Sequence, residues 1–126
     1  MADFRDVFFS SDEVLTRGTT SAQDFYFKVN AEELFKRIQI TYSQNDKIIL
    51  QKNKEDLQFS TLLDDNEEPV YLASFTMTQE ESNMFNCKNS KYVYMQVRVL
   101  TYGGDAFAYK KMQLLLKDVL DDEVLI

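Results

Sequence analysis

The chain has 126 residues, 44% of them hydrophobic, with 14 basic against 21 acidic side chains for a net charge of −7. This is one domain's worth of material, able to bury a core without disulfides or metal; its basic residues are dispersed, with no cluster longer than a pair such as Lys110-Lys111, which makes nucleic acid a poor candidate partner. With no histidine and three glycines in the chain, Ser-His-Asp and Cys-His catalysis, the usual zinc and copper ligand sets and a Gly-rich phosphate loop all fall away.

The N-terminus lacks a basic stretch followed by a long apolar run, so no signal peptide is expected. Phe4, Val7, Phe8 and Phe9 precede any clear domain pattern. They fit either a first strand closing a core or an arm that adds to the sheet edge of a neighbouring subunit. Residues 1–15 are accordingly set apart from a single domain over 16–126.

Residues 21–29 alternate around Phe25, Phe27 and Val29, a strand pattern. Asn30 follows as an N-cap for a helical turn, with Glu33 at its third position to complete a variant capping box. Residues 37–42 and 47–51 form the clearest hairpin. A three-residue loop over 44–46 would pair Tyr42 with Ile48 and Ile40 with Leu50, with Asp46 in the left-handed conformation, whereas a two-residue loop would set Ile40 opposite Gln51. Facial consistency favours the longer loop.

A second strand pair, 57–63 and 70–77, brackets the acidic loop Asp64-Asp65-Asn66-Glu67-Glu68-Pro69. The loop has oxygen ligands of the kind Ca²⁺ prefers but neither the alternation nor the glycine of an EF-hand. It reads as a solvated loop, as does Asp121-Asp122-Glu123. Thr78-Gln79-Glu80-Glu81 is a capping box opening a short helix, about 79–85, that buries Met84 and Phe85.

The strongest strand runs from Tyr92 to Leu100, with Val93, Met95, Val97 and Val99 on one face and Tyr92, Tyr94, Gln96 and Arg98 on the other. Gly103-Gly104 signals a hairpin turn. Residues 105–116 return as the partner strand, with Ala108 opposite Val99 for a two-residue loop or Phe107 there for a three-residue one. Residues 117–126 fit a final strand or a short helix. Six to eight short strands at about ten-residue spacing with brief helical turns predict a mostly β, single antiparallel immunoglobulin-like β-sandwich.

No run approaches the roughly 20 apolar residues of a membrane helix. The single cysteine, Cys87, fits a reducing cytoplasm and reads as a small buried hydrophobe. No catalytic residue, metal ligand or cofactor site is assigned; an enzyme would have to run on carboxylates and lysine alone. The candidate functional residues are instead of interface type: Phe4, Val7, Phe8 and Phe9 in the N-terminal segment, and Tyr92, Tyr94, Arg98 and Tyr102 on the presumed outward face. A second sheet or the C-terminal tail could equally cover the latter. Exposed aromatics also permit sugar stacking, although the chain has no tryptophan.

Four segments carry a family resemblance: Arg17-Gly18-Thr19-Thr20, Ile40-Thr41-Tyr42-Ser43-Gln44-Asn45-Asp46-Lys47, Thr78-Gln79-Glu80-Glu81, and Gln96-Val97-Arg98-Val99-Leu100-Thr101-Tyr102-Gly103-Gly104-Asp105-Ala106, with Val119-Leu120 and Val124-Leu125-Ile126 closing the chain. Over about residues 16–126 the chain resembles a group of small proteins encoded by tailed phages and prophages of Gram-positive and gut bacteria. The resemblance implies an immunoglobulin-like fold and a virion or virion-assembly role. It brings no catalytic residue. Asp46 stands where that group usually has glycine, residues 64–69 look like a lengthened loop, and residues 1–15 look like an addition.

The expectation is therefore a non-catalytic structural component of a tailed-phage virion, at the head, neck, tail or baseplate, made in the host bacterial cytoplasm. Its partners would be other virion proteins and copies of itself, with no nucleic acid and no membrane. A soluble host- or carbohydrate-binding module, or a small inhibitor whose acidic face occupies a basic host enzyme, is the alternative.

Overall fold

The computed structural model describes residues 8–10, 14–88 and 90–118. In chain order they form β1 (Phe8–Ser10), β2 (Val14–Thr16), β3 (Ser21–Phe27), α1 (Ala31–Leu34), β4 (Phe35–Gln44), β5 (Lys47–Asn53), a 3-10 turn (Lys54–Asp56), β6 (Gln58–Leu63), β7 (Pro69–Met77), α2 (Gln79–Ser82), β8 (Tyr92–Thr101), β9 (Ala106–Ala108) and β10 (Met112–Lys117). A four-stranded sheet in the order β1-β3-β7-β6 faces a six-stranded sheet in the order β2-β10-β8-β4-β5, with β9 also on β8. The mostly β sandwich expected from the alternating strands is what forms. The strands outnumber the predicted six to eight because the N-terminal segment contributes β1 and β2 and the return strand is divided into β9 and β10. The β2–β10 pair is parallel, unlike the other pairs among the described residues.

The core is the set of alternating side chains predicted from period-2 patterning. Phe25 and Phe27 of β3 and Ala73, Phe75 and Met77 of β7 face Ile38, Ile40 and Tyr42 of β4 and Val93, Met95, Val97 and Val99 of β8, all buried. Edge-on aromatic contacts cross the interior: Phe27 meets Phe35 at 5.7 Å and Tyr109 at 5.9 Å, and Tyr42 meets Phe75 and Phe85, each at 6.1 Å. Such pairs add to the burial of large apolar area.

The β4–β5 hairpin forms, but with a different loop from the one facial consistency favoured. Gln44 pairs with Lys47 across a two-residue Asn45-Asp46 turn, both at positive φ (52° and 63°). This is the twist-matched turn geometry of tight hairpins. The register then shifts, so that Ser43 faces Ile48 and Tyr42 faces Leu50, leaving Ile49 as the extra residue. The tight turn sets Ile48 opposite Ser43 on the outer face, 65% exposed, and the bulge then brings the buried Leu50 opposite the buried Tyr42.

Two further details depart from expectation, and between them the open register after β8 takes its three-residue alternative. The Thr78 and Glu81 side chains each cap the other's backbone N–H, as expected, but helix α2 ends at Ser82 with Asn83 as its C-cap. Met84 is therefore 51% exposed, while Phe85 is buried as predicted. The loop after β8 spans Tyr102-Gly103-Gly104, with the Thr101 amide donating to the Asp105 carbonyl at 2.8 Å, so Phe107 lies opposite Val99. Finally, a one-residue slip at Lys110-Lys111 separates β9 from β10: Val99 pairs with Phe107, but Met95 pairs with Met112. The slip keeps Tyr109, Leu114 and Leu116 buried on the same side.

The resemblance-bearing segments act as clamps. Arg17-Gly18-Thr19 carries the chain from β2 in one sheet to β3 in the other. The buried Ser82 hydroxyl accepts from the Gly18 amide at 2.9 Å and donates to the Thr19 carbonyl at 3.0 Å. Gly18 needs its positive φ of 75° to make this turn. Gln44 closes a two-point amide pair with Asn86, donating to its carbonyl at 2.7 Å and accepting from its amide at 2.8 Å. Asn30 caps α1 by accepting from the Glu33 amide at 3.3 Å.

Candidate interaction face

β8 is a central strand of the six-stranded sheet, hydrogen-bonded on one side to β4 and on the other to β9 and β10. Its buried residues hold it against the core, so the alternate side chains are presented outward from a rigid support. Tyr92 and Tyr94 are 41% and 40% exposed, and Arg98 is exposed. Tyr102, in the loop beyond, is 66% exposed and carries the Lys54 ammonium 5.6 Å from its ring centre.

Strand register decides which neighbours these residues have. Tyr94 lies between Ser43 and Gln113, and Ile48 lies beyond Ser43. Tyr92 lies beside Leu115, which in turn faces Val14. Ile48, Tyr94, Tyr92 and Leu115 thus form an exposed apolar band across the sheet at one end of β8. Arg98 sits six residues along the strand, about 20 Å away at the usual rise. There it faces Gln39 and adjoins Arg37. The four candidates of this face therefore divide into an aromatic end, a basic end and a loop residue.

Ile48 and Leu115 are not among the residues the sequence singled out. Ile48 lost its place because the longer hairpin loop would have turned it inward; Leu115 belongs to a return strand whose register was open. Of the N-terminal candidates, Phe8 and Phe9 lie in β1, paired with Phe27 and Tyr26 of the same chain. Phe4 and Val7 lie outside the described residues.

The titratable groups with displaced pKa values serve the framework. Tyr42 is held well above the ordinary phenol value by burial and, secondarily, by the nearby Glu81 charge. Burial raises Glu81, but hydrogen bonds from Lys52 and the Thr78 amide outweigh it and leave the carboxyl lowered. The Asp64 carboxyl is lowered mainly by the Glu68 amide, and its Oδ1 accepts from the amides of both Asn66 and Glu68 at 2.9 Å. That oxygen is engaged by its own loop. Cys87 is a half-buried cysteine packed against the core. Among the described residues no group of three or more potential metal ligands converges, and no helix is long and apolar enough to cross a membrane.

No protein-family model matches the chain, and no curated protein matches it. Among solved structures it is similar to a point mutant of the SrpA adhesin from Streptococcus sanguinis, at 11% identity and a TM-score of 0.46, over 89% of this chain and 57% of that one. The chain thus spans less than two thirds of that adhesin chain, and a likeness at this level carries no functional argument.

Proposed function

We propose that this protein is a non-catalytic binding module that acts by protein–protein contact, as a structural component of a tailed-phage particle. The observation that carries the binding role is the apolar band of Ile48, Tyr94, Tyr92 and Leu115, exposed on the outer face of a sheet whose other face is the core. Tyrosines on a rigid strand lose little side-chain entropy on contact and offer both apolar area and a hydroxyl, the traits of interface hot spots. The phage assignment rests on the sequence resemblance in the segments that form the turns and clamps of the fold. Partners on this reading are other virion proteins and further copies of the chain, in the virion.

Mass spectrometry of purified particles from a producing strain tests the assignment. Detection at many copies per particle is the expected result, and intact particles lacking the chain would rule it out. Tyr94→Ala and Leu115→Asp, both at outward positions, are expected to keep the fold and reduce incorporation.

A further inference from the structure

We infer that the basic end of the same sheet face is a binding groove for carboxylate groups of an acidic peptide segment, with Arg37 and Arg98 as its paired anchors. This inference does not depend on residence in a virion. The groove, of about 420 Å³, is lined by Arg37, Gln39, Arg98, Leu100, Ala106 and Ala108, with Val99 and Phe107 completing it. Its size is that of small ligand sites.

The register brings the anchors together. Arg37 of β4 faces Leu100 of β8, and Gln39 faces Arg98, so the arginines occupy diagonal positions, roughly 7–8 Å apart in such a ladder. A bulge places Arg37 there. Phe35 and Ile38 are both buried, with Lys36 and Arg37 both exposed between them, and the β4–β8 register shifts at this point. Regular alternation from Phe35 would have turned Arg37 into the core. Bulges of this kind re-aim side chains beside functional sites.

Charge supplies the second argument. On a chain with 21 acidic residues, neither guanidinium forms an ion pair among the described residues. Arg98 reaches only the Gln39 Oε1, at 3.5 Å. Glu55 borders Arg37 in an adjoining depression with Lys36 and Lys54, without pairing to it. Two like charges on neighbouring strands repel, and a carboxylate between them removes the repulsion while accepting from both planar forks. Ala106 and Ala108 keep the opposite wall low, so an extended segment can lie across the groove. Two arginines on a chain of net charge −7 do not form a track for a polyanion.

The test is an NMR titration of the isotope-labelled full chain with an acetylated, amidated Ser-Glu-Glu-Ser peptide, its Ser-Gln-Gln-Ser counterpart, inorganic phosphate and a short single-stranded DNA. The inference expects saturable shifts of the Arg37 and Arg98 Nε–H and the Gln39 side-chain amide with the glutamate peptide only, weakened by added salt. The R37Q/R98Q double variant, altered at two exposed positions, is expected to bind at least about tenfold more weakly with unchanged thermal stability, a loss of one decade in affinity. No saturable shift, equal shifts from the glutamine peptide, or tighter binding of phosphate or DNA would overturn it. The glutamate-against-glutamine comparison on the unsubstituted chain decides the matter even where the variant fails to fold.

Discussion

The Tyr42 hydroxyl donates to the Gln23 side-chain oxygen at 2.8 Å, joining the two sheets through the middle of the core. Both residues are almost wholly buried, at 0% and 2% exposure. The Gln23 amide nitrogen donates in turn to the Ser21 hydroxyl at 3.1 Å, so the bridge is satisfied at both ends. It fixes how far one sheet can slide over the other, which apolar contacts alone would leave loosely specified.

Removing the hydroxyl strands the Gln23 oxygen. Tyr42→Phe is therefore expected to destabilise the fold by about 1–3 kcal/mol, the cost of an unsatisfied buried acceptor. Gln23→Leu in the Tyr42→Phe background is expected to recover part of that loss, since both polar partners are then gone. Denaturant midpoints of the single and double variants check this.

The same phenol gives an alkaline limit. Its folded pKa is raised, by burial first and Glu81 second, so the folded state retains a proton that the unfolded state releases. Stability from this group is complete below the ordinary tyrosine value of about 10 and falls as pH rises beyond it. Tyr42 is expected to ionise only as the chain unfolds, visible as a phenolate absorbance step coincident with loss of circular dichroism.

At acid pH the corresponding group is Glu81. Its carboxylate meets the Lys52 ammonium at 2.6 Å and accepts from the Thr78 amide at 3.0 Å, while Lys52 also stands 5.4 Å from the Phe75 ring centre. The folded pKa is lowered, so this contribution is present above the unfolded glutamate value and lost as pH falls through the folded one. Glu81→Ala is expected to cost about 1–2 kcal/mol at neutral pH through loss of the cap and the pair. The gap from the unsubstituted chain should close on acidification; thermal melts across that range measure it.

Backbone conformation sets a third group of outcomes. Asp46 has φ of 63° and Gly104 has φ of 95°. Asp46→Gly is expected to stabilise the chain by about 0.5–1 kcal/mol, because glycine meets no Cβ penalty there. Gly104→Ala is expected to destabilise by about 1–2 kcal/mol. Gly103→Ala should be nearly neutral, since a Cβ there would lie 3.7 Å from the Thr101 hydroxyl, an ordinary contact. Melting temperatures that do not separate the two glycine variants would contradict this assignment of the turn.

Gln44 tests the clamp between the β4–β5 hairpin and the loop before β8. Gln44→Ala removes both hydrogen bonds to Asn86 and is expected to cost about 2–3 kcal/mol. Hydrogen exchange at the Asn86 amide should rise by more than global unfolding accounts for.

Period-2 alternation was enough to identify β3, β4, β7 and β8 and nearly all of their core side chains, because burial on one face of a strand leaves a local signature. The Thr78–Glu81 capping box and the Asn30 cap were equally legible, since both partners lie within one turn of chain. Register was not legible. Whether Asn45-Asp46 turns tightly and a bulge at Ile49 follows, or a longer loop forms, depends on which face the core accepts, and β4 learns that from β8, more than fifty residues away. The diagonal placing of Arg37 and Arg98, and of Ile48 and Tyr94 on either side of Ser43, has the same origin. The sequence by itself determined which residues are apolar, where strands begin and which chemistry is absent for want of histidine. Only the tertiary structure decided which outward side chains become neighbours, because a one-residue slip costs little locally and is settled by packing across the whole sandwich.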